Sequence, residues 1–267
     1  MKKYLCFFQN RFQTELQYRG ASVTGTLTQF LWGLMECLAF RALLESNAVT
    51  SPMSLQAVIS YVWLREAFFL MLNTWAMDND IMEMLTSGGI AYEMCRPVSI
   101  YDMWYARTIG GRIASALLRC TPILLLAFCL PGSCRMRLPA NGGALVMFAL
   151  TMLLACAVTV SFCMFVYILA FFTVSPEGVR KIMMGLVDFL AGSVIPLPFI
   201  PQPLRSILEL LPFGSMQNVP LRIYSGDLVG TEMWNALWLQ IFWLVFLIFL
   251  GKTICRAAER RVVIQGG

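Results

Sequence analysis

The sequence predicts an all-α membrane protein: six transmembrane helices, an N-terminal helix lying in the membrane interface, and an outer re-entrant region between the fifth and sixth spans. Three observations lead there. The chain is 58% hydrophobic and only 13% charged, with a mean hydropathy of +0.70, against about 25% charged residues in soluble domains. That is too little charge to cover a soluble surface. Apolar runs long enough to cross a bilayer, about 20 residues each, recur along the 267 residues. Lys and Arg gather at the ends of those runs, the arrangement that sets membrane topology. The net charge of +5 therefore reads as topology and not as a nucleic-acid footprint.

In chain order, residues 1–20 set Tyr4, Leu5, Phe7, Phe8, Phe12 and Leu16 among Lys2, Lys3, Arg11 and Arg19. A basic, aromatic-bearing helix of this kind lies in the interface. Its apolar residues are interrupted by Gln, Asn and Arg with no small-residue cleavage site, so it does not read as a signal peptide. The first span covers about 22–44 and the second about 55–76, joined by a short polar loop. A long polar loop, 77–107, leads to a third span at about 108–130, which PGSCRMRLP breaks. The fourth, about 142–173, is longer than the bilayer needs and must tilt or protrude.

Ser175 and Pro176 suit the N-cap and first helical position of the next helix. The fifth span, about 181–200, runs into Pro196, Pro198, Pro201 and Pro203, where no helix can continue. LRSILELLPF then has helical apolar spacing but is too short to cross. Residues 196–232 therefore either dip back into the outer leaflet, shielded by protein, or lie along it as an interfacial loop. The sixth span covers about 233–251.

With both termini inside, the inner segments carry Lys2, Lys3, Arg11, Arg19, Arg96 and Arg107, then Arg180, Lys181, Lys252, Arg256, Arg260 and Arg261. The outer segments hold only Arg135, Arg137, Arg205 and Arg222. That asymmetry favours both termini in the cytoplasm of a cell with this protein in its plasma membrane.

The sequence has no histidine, which removes the usual base or ligand of intramembrane proteases, zinc enzymes and haem carriers. Its nine cysteines include no CxxC pair, and most sit inside apolar runs, where they act as small apolar residues. The spacing of Cys129 and Cys134 leaves a disulfide open without deciding it. Gly251-Lys252-Thr253 looks like the end of a phosphate-binding loop, but the glycine required five residues before Gly251 is Phe246, inside a span. Lys252 reads instead as a helix-end lysine reaching toward the interface.

Charges inside the spans are costly unless paired or wetted, so each is a functional candidate. They are Glu36 and Arg41 in the first span, Arg65 and Glu66 in the second, Arg119 in the third and Asp188 in the fifth. Depth along the helices suggests Glu36–Arg65 and Glu66–Arg119 as pairs, serving either as glue between helices or as substrate contacts. The aromatic-rich sixth span reads as lipid-facing.

Two stretches carry a family resemblance. GSVIPLPFIPQPLRSILELLPF with the following IYSGDLVG resembles the region after the fifth span of ABC type-2 permeases, and SGGIAYEMCRPVSIYDMWYARTIG resembles their loop between spans two and three. The likeness covers nearly the whole chain as a single permease domain. It implies that 196–232 forms a re-entrant helical hairpin capping the path, with Gly192, Pro196, Pro198, Pro201, Pro212 and Phe213 at an outer gate. It also implies a coupling helix in 77–107 that docks on an ATPase through Ile81, Met82, Met84, Leu85, Gly89, Arg96 and Pro97. Acidic Asp78, Asp80 and Glu83 suit that helix's N-terminal half.

The partners so implied are two ABC ATPase subunits, which bind ATP and Mg, a second permease (itself or a paralogue) and the bilayer, and the setting implied is a bacterial cell membrane. The chain itself is expected to bind no cofactor and to carry no catalytic or metal site. The function implied is export of an amphipathic peptide, drug or lipid-like molecule. The alternative is a proton-coupled secondary transporter using Glu36, Glu66 or Asp188, although no internal repeat marks such a fold. A lipid-modifying enzyme using Asp78 and Asp80 as metal ligands lacks a third ligand and a base.

Overall fold

The computed structural model describes residues 2–17, 19–46, 52–139, 141–173 and 176–260. Its elements are helical: α1 (Lys2–Gln17), α2 (Arg19–Glu45), α3 (Leu55–Ala67), α4 (Phe69–Leu72), α5 (Asn79–Thr86), α6 (Ile90–Met94) and α7 (Ile100–Cys129). There follow α8 (Gly142–Ala170), α9 (Pro176–Leu190), α10 (Leu204–Leu210), α11 (Pro212–Met216), α12 (Asn218–Ser225) and α13 (Gly230–Glu259). Ser175 and Arg261, to which the sequence reading assigned an N-cap and an inner charge, lie outside the described residues, as does the side chain of Arg19.

Among the described residues, four helices are long and apolar enough to cross a membrane: α2 from Ser22, α7, α8 and α13. Burial ranks them. In its most apolar window α8 buries 67% of its residues, against 17% for α2 and 22% for α13. Thus α8 is the central post, packed against α13, α12, α7 and α9, while α2 and α13 expose apolar flanks. Asn141 caps α8 by accepting the Ala144 N–H at 2.7 Å, and Ser99 caps α7 through the Asp102 N–H. Helix α7 starts eight residues before the expected third span, because this cap and the amphipathic run after it continue the helix below the apolar part.

The second expected span differs more. Helix α3 has 13 residues and is buried without a break from Val58 to Ala67. A helix apolar on every side belongs inside a bundle. It stops at Phe68, and the one-turn α4 follows. Arg112 of α7, itself buried, donates to the carbonyls of Leu70, Met71 and Asn73 at 3.3, 3.2 and 2.7 Å. It satisfies the carbonyls left open where α4 ends.

Helix α1 is not isolated on a surface but docked lengthwise along the first half of α7. Lys3 donates to the Pro97 carbonyl at 2.8 Å, and Tyr4 accepts from the Ser99 N–H. Gly110 permits the crossing, since a Cβ there would lie 2.6 Å from the Phe8 carbonyl oxygen. Further along, Ser115 reaches Glu15 at 3.4 Å.

Beyond α9 the chain is broken into short pieces, as the prolines require. Gly192 turns it with a φ of +81°. Residues 212–224 then bury themselves against α8, α3 and α13. Irregular backbone inside a bundle needs polar partners, and the long helices supply them. Gln240 of α13, fully buried, donates to the Ser215 carbonyl at 2.9 Å and the Thr151 carbonyl at 3.3 Å. Trp243 donates to the Leu210 carbonyl at 2.9 Å. Helix α10 is the exposed member, with Leu204, Ile207 and Leu210 uncovered. Cys129 and Cys134 are free thiols, the second buried where Trp63 donates to its carbonyl.

Candidate functional site

Five of the six charges picked out from the spans line one half-open cavity of about 490 Å³ between α2, α3, α7 and α9: Glu36, Arg65, Glu66, Arg119 and Asp188. Arg41 is elsewhere, on the exposed face of α2, paired with Glu45 at 2.7 Å. The cavity's size is that of a small-molecule site.

Arg65 is the hub. Its guanidinium is buried and forks between Glu36, with which it forms an ion pair, and Glu66 at 2.9 Å. A third arm donates to the Ser193 carbonyl at 2.6 Å, tying α3 to the end of α9. The expected Glu36–Arg65 pair is thus present. Glu66, however, pairs with its neighbour Arg65 and not with Arg119, because Arg65 turns its planar fork toward both carboxylates.

Arg119 forms no ion pair or hydrogen bond with any described residue, and its guanidinium lies over Gly25, where a Cβ would come within 2.5 Å of it. Asp188 accepts hydrogen bonds from the Trp75 indole N–H and, at 3.3 Å, from the Asn73 amide, both neutral donors. Three carboxylates therefore face two guanidiniums.

Asn73, Trp75, Gln29, Trp32 and Gln217 were missed in the sequence because uncharged side chains raise no alarm in an apolar run. Their signal was amide and indole groups at the depth of the charges. Arg112 was missed although it lies four residues inside the expected third span and obeys the same rule as the others.

A second constellation lies at the α1 end of the bundle. Asp78 caps α5 by accepting the Asp80 N–H at 3.1 Å. Arg107 of α7 reaches Asp78 at 2.7 Å and also pairs with Asp80, while Arg11 of α1 reaches Asp80 at 3.0 Å. Two arginines from different helices thereby clamp the N-terminus of α5. The docking residues expected on α5 need correction. Ile81 and Met82 are buried in this chain's own core, and Met84 and Leu85 pack against that core. The short helix is amphipathic, and its apolar face is drawn onto α8, where Tyr167 accepts the Asp78 N–H at 2.6 Å. What remains outside is Glu83, Tyr92 (82% exposed), Arg96 and Pro97, with Gly89 half-buried between them.

Of the expected gate residues, Gly192, Pro196, Pro198 and Pro212 are buried, Phe213 packs edge-on against Phe162 with ring centres 5.8 Å apart, and Pro201 is exposed. The triplet Gly251-Lys252-Thr253 lies within α13, and Lys252 pairs with Asp102 at 2.7 Å.

The family profile described as ABC-2 family transporter protein matches residues 30–266. The chain belongs to the ABC-2 transporter family. No curated protein matches the chain. The match takes in every cavity-lining charge and both stretches that carried the resemblance, and leaves α1 and the first turns of α2 outside. As an ABC-2 transporter membrane protein, it is a multi-pass permease.

Proposed function

We propose that this ABC-2 permease is the membrane subunit of an exporter that moves an amphipathic substrate outward, driven by ATP hydrolysed on two separate subunits. The observation that carries the reading is the convergence of five intramembrane charges in one half-open cavity beside the exposed flank of α2. Charges at that depth persist where they serve a path. A second permease, itself or a paralogue, covers the open side, and the path runs between the two. ATP and Mg belong to the partner subunits, and this chain supplies no catalytic residue.

Six passages fit this arrangement, with α3–α4 and α9 adding to the four long helices. The contacts of α1 with residues 78–80 and 97–99, of Arg180 with Asn79, and of Lys252 with Asp102 gather the α4–α5 junction and the starts of α7 and α9 with the end of α13. That grouping, with its Lys and Arg content, supports both termini on the cytoplasmic side. The buried breaks of 212–224 support a re-entrant cap at the opposite end.

Coupling then has a short route. The ATPase meets the α5–α6 platform at Tyr92, Arg96 and Glu83. Asn73 and Trp75, which hold Asp188, lie on the segment that joins α4 to α5. Movement of the platform therefore reaches a cavity carboxylate within five residues of chain. The rival reading, a proton-driven carrier, rests on Asp188, whose carboxylate meets only neutral donors.

A photo-crosslinking amino acid in place of Tyr92 tests the platform in native membranes. The expected product joins this chain to a soluble subunit that carries a phosphate-binding loop. Cross-links confined to lipid or to the chain itself would contradict the proposed docking face.

A further inference from the structure

The cavity's charges and polar groups do not close on one another, and what is left over describes a ligand. Glu36, Arg65 and Glu66 satisfy each other around the hub. Arg119 is left with no hydrogen bond or close ion pair among the described residues, the carboxylate of Glu15 acting on it only at longer range, and Asp188 is left as an anion on neutral donors. Gln29 and Gln217, 7% and 3% exposed, each leave a buried atom unpaired at the cavity: the Gln29 Oε1 acceptor and the Gln217 Nε2 donor. Buried polar atoms left without partners are costly, so these two cavity-lining amides, one with an open acceptor and one with an open donor, add polar capacity beside the charges that a guest would meet. Trp32 and Trp75 add half-exposed indole faces to the same wall.

We infer that the cavity is built to take an organic zwitterion, its anionic group on Arg119 and its ammonium group between Asp188 and the Trp75 ring. A guanidinium takes a carboxylate or phosphate through paired N–H donors. An ammonium beside a carboxylate and over an indole gains from both the charge and the ring quadrupole. A purely anionic guest would meet the uncompensated Asp188 carboxylate, and a purely cationic one would leave the half-buried Arg119 without a close counter-charge. This deepens the exporter reading by naming its substrate class, and it rests on the cavity being the substrate's site. The zwitterion has two possible sources, the head group of a lipid-like molecule or a free soluble compound.

The test needs neither ATP nor a partner, so its failure is separable from failure of the exporter reading. The full chain, purified in a non-ionic maltoside detergent, is titrated by calorimetry with octylphosphocholine, octyltrimethylammonium and octyl phosphate, each below its micelle-forming concentration. Saturable binding of the zwitterion at least about tenfold tighter than either singly charged probe is expected. Arg119→Gln should remove that preference for the zwitterion over the cation, and Asp188→Asn the preference over the anion.

Gly25→Ala keeps every charge but pushes the Arg119 guanidinium aside, since a Cβ there would come within 2.5 Å of it. It should weaken octylphosphocholine and octyl phosphate and leave octyltrimethylammonium unchanged. Glycerophosphocholine, which has the head group without a chain, identifies the source: equal binding marks a soluble zwitterion, and much weaker binding a lipid-like one. Equal affinity for the three octyl probes, or an unchanged preference in Arg119→Gln protein that elutes and melts like wild type, would overturn the inference.

Discussion

At the scale of single residues, Arg65 is the charge that ties the cavity together. It serves two carboxylates and a backbone carbonyl from a site that is 5% exposed. Removing one partner of a buried ion pair costs about 3–5 kcal/mol, because the other charge stays behind. Arg65→Met should therefore lower the melting temperature in maltoside micelles by a margin well outside that of surface variants. Adding Glu36→Gln and Glu66→Gln to the same chain should recover most of the loss. A charge swap of Glu36 and Arg65 should not, because a carboxylate at position 65 would stand beside Glu66. Recovery by the simple swap would mean that Glu66 does not share the hub. The sequence disclosed these residues because unpaired charge in hydrocarbon is expensive. It did not disclose which partner Glu66 takes, since adjacent residues on a helix point in different directions and only the rotamer of Arg65 brings them together.

At the scale of elements, the docking of α1 along α7 depends on a close approach. A side chain at Gly110 would strike the Phe8 carbonyl, 2.6 Å from the first added carbon, and backbone cannot yield there as a flexible side chain would. Gly110→Val should raise amide hydrogen exchange across residues 2–17 while leaving α8 protected. Gly185→Ala, with no atom within 4 Å of the added carbon, is the matched control and should change stability by no more than about 1 kcal/mol. Unchanged exchange in the valine variant would show that α1 is held by its ion pairs and not by the crossing.

The long apolar helices were readable because hydropathy over 20 residues is a strong signal. The burial of helix α3 on all sides was not readable for the same reason, since a short buried helix and a membrane-facing helix have the same composition. The breaks at Leu211 and Gln217 were only half legible. The prolines announced an interruption, but the return of 212–224 into the bundle depends on Gln240, more than 20 residues later, which nothing local identifies.

At the scale of the whole molecule, the charged cavity and the α5–α6 platform are joined through the segment that holds Asn73, Trp75 and Asp78, and the platform is clamped by arginines of α1 and α7. That construction suits a permease whose motor lies outside the chain. Amphipathic α5 was legible as a helix with an acidic start and a glycine end. Which of its faces points outward was not, because an apolar face fits its own core as readily as a partner's groove.

The most direct test is to isolate the tagged chain from its native membranes in mild detergent and to measure ATP hydrolysis and subunit content together. An ATP-driven permease predicts an ATP-hydrolysing assembly with one ATPase subunit per permease chain, and a second permease sequence in it would mark a heterodimer. A chain that emerges alone and without ATPase activity, under conditions that keep other ABC assemblies whole, would contradict the ATP-driven assignment and return Asp188 to consideration as a proton site.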